Sequence, residues 1–182
     1  MNKVLKKVSY STAKSADIPA LSTLINSAYR GEKSGLGWTH EADLLEGPRL
    51  NTESLAAEVI QPGSVMIMAH VGTHLCGCVL LRRREDRAYL GLLTVEARSQ
   101  GEGLGKQIMM EAERWVTQEW GISLIEMTVI KQRDALIAFY RRRGYSPSGE
   151  TKPFPYDDPG VGKPLLEDLE FVVLQKKLPV DI

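Results

Sequence analysis

Between positions 88 and 120 the hydrophobic pattern changes period with only a glycine-rich turn between its two halves. The run 88–95, Ala-Tyr-Leu-Gly-Leu-Leu-Thr-Val, reads as a strand. From 103 to 120 the apolar residues Leu104, Ile108, Met109, Ala112, Trp115 and Val116 recur at helical spacing and make one stripe. Gln100, Gly101, Gly103 and Gly105 form the junction. A strand that feeds a one-faced helix so directly confines the chain to architectures in which helices cover the faces of a sheet.

The flanking segments fit that plan. Residues 7–14 read as an edge strand, after which Ser15 caps a helix with Asp17 and Pro19 in its first turn and Ile18, Leu21, Leu24, Ile25 and Tyr29 on one face. The stretch 31–47, with four glycines and Trp38, breaks the period, and 52–59 resumes as a second helix. Then 65–69, 74–83 and 88–95 form an antiparallel meander. Downstream, 122–130 is a strand, 134–143 a helix stopped by Gly144, and Tyr145 opens a long Pro-rich loop before a last strand at 169–174. The expected fold is α/β (α+β): a single mixed antiparallel and parallel sheet of about six or seven strands flanked by helices.

Composition narrows the function classes. The chain has 182 residues, which predicts a single domain over 1–182. Its 23 basic residues balance 23 acidic ones, so no global field draws it to nucleic acid or an anionic membrane. No apolar run approaches the ~18 residues of a membrane helix, and the basic N-terminus runs into Ser-Tyr-Ser-Thr instead of a secretory core. A cytoplasmic location is expected. Cys76 and Cys78, two apart, predict reduced thiols on one face of a strand.

The glycine turn carries the chemistry. Glycine lets the backbone approach a ligand, and the first turn of a helix offers N–H groups and the positive end of a dipole to an anion. A Walker A loop would need Gly and Ser or Thr where Gln100 and Gln107 stand, and a dinucleotide fingerprint would need a third Gly at Lys106. What remains is Gln-x-x-Gly-x-Gly at Gln100, Gly103 and Gly105, or a plain glycine turn that binds nothing. This motif resembles the acyl-CoA pyrophosphate loop of the GNAT superfamily of N-acetyltransferases. The segment 136–145, Leu-Ile-Ala-Phe-Tyr-Arg-Arg-Arg-Gly-Tyr, is similar to the second hallmark of that superfamily, and the opening at Ser15 to its first helix.

The resemblance implies an acyl-CoA N-acyltransferase fold, acetyl-CoA as co-substrate without a metal, and direct attack on the thioester by a primary amine of a small molecule or peptide. It implies that the strand ending at Val95 splays from the strand 122–130, with a bulge that exposes N–H groups near Leu93 and Val95. Phosphates would lie on the amides of Gln100, Gly101, Gly103, Leu104, Gly105 and Lys106. Tyr140 aligns with the tyrosine that protonates the departing thiolate; its other reading is an aromatic anchor of the last helix. Arg133 stands where many members have a cofactor-contacting Asn. Glu41 and Asp43 fall in the segment that forms the acceptor wall, and with Asp157 and Asp158 would give an acidic mouth for a cationic substrate. Glu41, Asp43, Glu96 and water are the candidate general bases. A homodimer is in keeping with the family. The alternative functions are a non-catalytic acyl-CoA-binding sensor or interaction module on the same fold, and a scaffold without cofactor.

Other signals point to less. His70, His74, Cys76 and Cys78 have metal-ligand chemistry, but 74, 76 and 78 line one face of one strand, and a compact site needs ligands converging from more than one element. The arginine runs 82–84 and 141–143 lack interleaved aromatics and read as solvated faces.

Overall fold

A computed structural model describes residues 7–30 and 44–179. Along the chain lie β1 (Val8–Thr12), α1 (Ile18–Arg30), β2 (Leu45–Glu46), α2 (Thr52–Ile60), β3 (Ser64–Val71), β4 (His74–Arg83) and β5 (Ala88–Val95). These are followed by α3 (Leu104–Gln118), β6 (Leu124–Ile130), α4 (Asp134–Arg141), β7 (Ser146–Pro153), β8 (Lys163–Pro164) and β9 (Glu170–Lys177). Seven strands form one sheet in the order β1-β3-β4-β5-β6-β9-β7, and β2 pairs with β8 in a separate ribbon. Among the described residues only β5 and β6 run parallel in this sheet; its other neighbouring pairs are antiparallel.

Two cores cover the two faces. The α3 stripe of Leu104, Ile108, Met109, Ala112 and Val116 packs with Leu136, Phe139 and Tyr140 of α4 against Ile67, Val79, Leu81, Leu90 and Leu93. On the other face Leu21, Ile25 and Tyr29 of α1 and Leu55 of α2 pack against Met66, Met68, Cys78 and Leu80. Alternation along β3 and β4 sends successive side chains to opposite cores. Arg87 bonds the buried Glu126 at 3.0 Å, fastening the end of the sheet where β5 and β6 meet.

The structure departs from the sequence expectations in local ways. Ser15 lies in a short 3₁₀ turn, and Asp17 does the capping, its carboxylate accepting from the Lys14 N–H at 2.8 Å. The loop expected after Tyr145 contains β7 despite Pro147, Gly149 and Pro153, because a sheet edge tolerates proline where an interior strand would lose ladder bonds. Cys76 and Cys78 do not share a face: a register shift between Ala69 and His70 opposite β4 turns Cys76 toward the α3 core and leaves Cys78 toward α1. Both are free thiols, and burial pushes the Cys78 thiol up to about 12, the behaviour of an inert core residue. Arg82 pairs with Glu58, and the Arg143 guanidinium stacks 3.8 Å from the Phe139 ring centre, so neither arginine run is a purely solvated face. Trp38, Glu41 and Asp43 lie outside the described residues. Among the described residues no helix is long and apolar enough to cross a membrane.

Candidate active site

The sheet opens between its two parallel strands. β5 and β6 are in register only at Ala88 with Ile125 and Tyr89 with Glu126; beyond that point they diverge. A cavity of about 180 Å³ occupies the gap, walled by Gly91, Leu92 and Leu93 on one side and Met127 to Ile130 on the other. Tyr29 enters it from the α1 face and Tyr140 from the α4 face.

The β5 wall is bulged. Cys78 stands opposite Thr94 but Leu80 opposite Gly91, which leaves one extra residue in β5 at Leu92–Leu93. Leu92 has φ +49°, the one positive value at a non-glycine position among the described residues. The phase of the strand flips there: Leu92 packs toward the α1 core, while Leu90, Leu93 and Val95 pack toward the α3 core. The Glu96 N–H donates to the Cys76 carbonyl at 2.9 Å, so ladder alternation turns the N–H and C=O of Val95 away from β4 and toward the gap. The Leu93 carbonyl also points that way and accepts from the Tyr29 hydroxyl at 2.8 Å.

The glycine turn continues from this wall. A 3₁₀ turn at Ala97–Ser99 leads to Gly101 and Gly103, at φ +84° and +81°, with open space where a Cβ would stand at either. Gly103 is the N-cap of α3, and its carbonyl accepts the first helical bond, from Gln107 at 3.1 Å. Among the described residues the main-chain N–H groups of Gly101, Glu102, Gly103, Leu104, Gly105 and Lys106 donate to no protein atom. Gln100 differs: its N–H is spent on the Ala97 carbonyl at 3.3 Å, and its side-chain amide donates to the Val95 carbonyl at 2.8 Å.

Tyr140 is buried, with its ring edge-on to Phe139 and Tyr145 at 5.4 and 6.1 Å. Its hydroxyl bonds no protein group among the described residues. Burial pushes the phenol well above its usual range, the neighbouring Tyr29 adds to the shift and Arg133 opposes it, so the group holds its proton. Arg133 lines the same cavity with its guanidinium 5.8 Å from the Tyr29 ring centre.

Of the acidic candidates, those among the described residues stand away from the cavity. Glu96 lies outside the cavity, paired with His74 at 2.9 Å and Arg98 at 2.8 Å; burial raises its carboxyl, but these partners win and hold it below the usual range. Asp158 accepts from the Gly160 N–H at 2.8 Å, and neither it nor Asp157 lines the cavity. Among the described residues no Asp or Glu does. Instead the wall includes residues that the sequence reading did not assign to a site: Tyr29, Arg30, Arg49, Phe154 and Phe171. Arg30 gathers the outer rim, donating to the carbonyls of Gly47 and Pro48 at 3.1 Å each and Val161 at 3.0 Å. Tyr29 carried a signal, since a hydroxyl ending an otherwise aliphatic buried stripe needs a partner. Among the described residues no three His, Cys, Asp or Glu side chains gather as a metal site would require.

A mixed sheet parted between two parallel strands, with a glycine turn and helix N-terminus beside the opening, is the acyl-CoA N-acyltransferase fold. The profile of the Acetyltransferase (GNAT) family matches residues 24–145, and the chain belongs to that family. It is accordingly an acyl-CoA-dependent N-acetyltransferase with acetyl-CoA as donor. Among solved structures it is similar to the ribosomal-protein-S18-alanine N-acetyltransferase of Escherichia coli, with a TM-score of 0.69 at 13% identity over 97% of each chain. The PaiA N-acetyltransferase of Thermoplasma acidophilum, in complex with coenzyme A, gives 0.67 at 16% over 94% of this chain and 99% of its own. YncA of Salmonella typhimurium, with its cofactor acetyl-CoA, gives 0.68 at 17% over 97% and 96%. No curated protein matches the chain.

Proposed function

We propose that acetyl-CoA lies along the gap between β5 and β6, with its diphosphate on the amides of Gly101, Gly103, Leu104, Gly105 and Lys106. The observation that carries this reading is the run of amides from 101 to 106 without acceptors among the described residues, next to a parted pair of strands. Bound acetyl-CoA supplies an activated thioester. The N–H groups of Leu93 and Val95 receive the negative charge that develops on its oxygen as an amine attacks. Gln100 serves by holding the Val95 carbonyl, and Arg133 lines the cavity beside the reacting centre. As the new C–N bond forms and the C–S bond breaks, the Tyr140 phenol gives its proton to the sulfur.

Glu41 and Asp43 bind the acceptor amine, whose proton passes to one of the candidate bases, a carboxylate or water; they precede the cavity-lining Leu45 by four and two positions. The acceptor is a primary amine on a small molecule or peptide, and the enzyme acts in the cytoplasm, as a homodimer. Thiol release from acetyl-CoA across a panel of small amines and peptides, with wild type beside Tyr140→Phe, tests the assignment. Release by wild type and its loss in the variant support it; equal release by both removes Tyr140 from the chemistry.

A further inference from the structure

Tyr29 ends the buried stripe of α1, where phenylalanine would fill the same volume. Its hydroxyl instead makes a buried 2.8 Å bond to the Leu93 carbonyl, 64 positions away. The acceptor belongs to the β5 bulge and follows Leu92, whose left-handed backbone is strained for leucine and needs neighbours to fix it. The ring that carries the hydroxyl is itself held, with the guanidinium groups of Arg49 and Arg133 at 5.5 and 5.8 Å from its centre.

A carbonyl aimed into the gap is the wrong pole for acyl transfer, because attack builds negative charge on the thioester oxygen. Two carbonyls accompany the amides on that side of β5. The Tyr29 hydroxyl takes that of Leu93 and the Gln100 amide that of Val95, each at 2.8 Å. The caps come from different elements, so the strand does not provide this polarity by itself.

We infer that Tyr29 is a positioning residue for acyl transfer: by holding the Leu93 carbonyl it fixes the bulge and leaves N–H groups to meet the thioester oxygen. The inference rests on the acetyl-CoA placement proposed above. Tyr29→Phe keeps the ring and removes the donor. Three probes are titrated calorimetrically: CoA, acetyl-CoA, and S-ethyl-CoA, a thioether without the carbonyl. Wild type binds acetyl-CoA roughly fivefold to tenfold more tightly than S-ethyl-CoA, the worth of one hydrogen bond. In Tyr29→Phe that preference disappears while CoA affinity is unchanged, and with the best amine of the panel kcat falls while KM for acetyl-CoA rises by about the same fivefold to tenfold.

A residue that merely supports the fold lowers the melting temperature and leaves the preference intact; that result overturns the inference. Should Tyr29→Phe fail to fold, 3-fluorotyrosine at position 29, a stronger donor on the same ring, raises the preference above wild type, and no rise overturns it. Wild type that binds none of the probes refutes the placement of acetyl-CoA, and the inference with it.

Discussion

Gln100 and Val95 are joined by a 2.8 Å hydrogen bond from side-chain amide to main-chain carbonyl, so the first residue of the glycine turn grips the last residue of β5. The grip fixes the strand wall and the anion-binding amides relative to each other. Gln100→Leu removes it at a part-buried position without emptying space. The expected result is a CoA dissociation constant about fivefold higher, one hydrogen bond's worth, with a small change in melting temperature. Calorimetry and thermal denaturation on the same sample check both.

Gly103 tests the turn itself. Its φ of +81° is costly for a side chain, but a Cβ there meets no protein atom within 4 Å. Gly103→Val therefore costs roughly 1–2 kcal/mol of stability from backbone strain alone. It also places a branched side chain in the space assigned to the diphosphate, so CoA binding weakens by at least about tenfold. Urea unfolding gives the first quantity and calorimetry the second; unchanged CoA affinity would contradict the placement.

Tyr140→Phe separates chemistry from binding. The hydroxyl has no protein partner among the described residues, so its removal leaves the fold and CoA affinity near wild type. Turnover falls by about 10²-fold, the scale of a lost general acid. Because burial holds the phenol protonated, the pH profile of wild-type kcat shows no loss from this group below pH ~10.

Stability itself should weaken in alkali. Burial raises the Tyr140 phenol, and burial followed by the Glu113 carboxylate raises that of Tyr145. Unfolded phenols ionise near pH ~10 and the folded ones higher, so above that pH the unfolded chain binds fewer protons and stability falls as pH rises. Each group contributes up to about 1.4 kcal/mol per pH unit in that window and nothing below it. Urea unfolding between pH 8 and pH 11 should show a plateau and then a decline, shallower in Tyr145→Phe.

What the sequence disclosed follows from how strongly each element is written in local pattern. α3, α4 and the meander have long clean periods and stand where 103–120, 134–143 and 65–95 place them. The glycine turn was legible because Gly101 and Gly103 need left-handed backbone, and Tyr140 through the motif around it. β7 was hidden because its residues are largely exposed on both sides and interrupted by proline. The Leu92–Leu93 bulge left only a broken alternation as a trace, and the same kind of shift beside Cys76 upset the expected face of the thiols. Glu96 looked like a candidate base because pattern shows proximity in sequence, whereas His74 and Arg98 claim it in space. Tyr29 and Arg30 reach the cavity through bonds to residues 93 and 161, contacts that no periodicity encodes.

The most direct test follows the backbone ¹⁵N–¹H signals of the chain during titration with CoA. The expected result is that the amides of Gly101, Gly103, Leu104, Gly105 and Lys106 move downfield together and saturate with the calorimetric affinity, with Val95 responding further when acetyl-CoA replaces CoA. Saturating CoA with those resonances unmoved, and the shifts clustered on another part of the molecule, would contradict it.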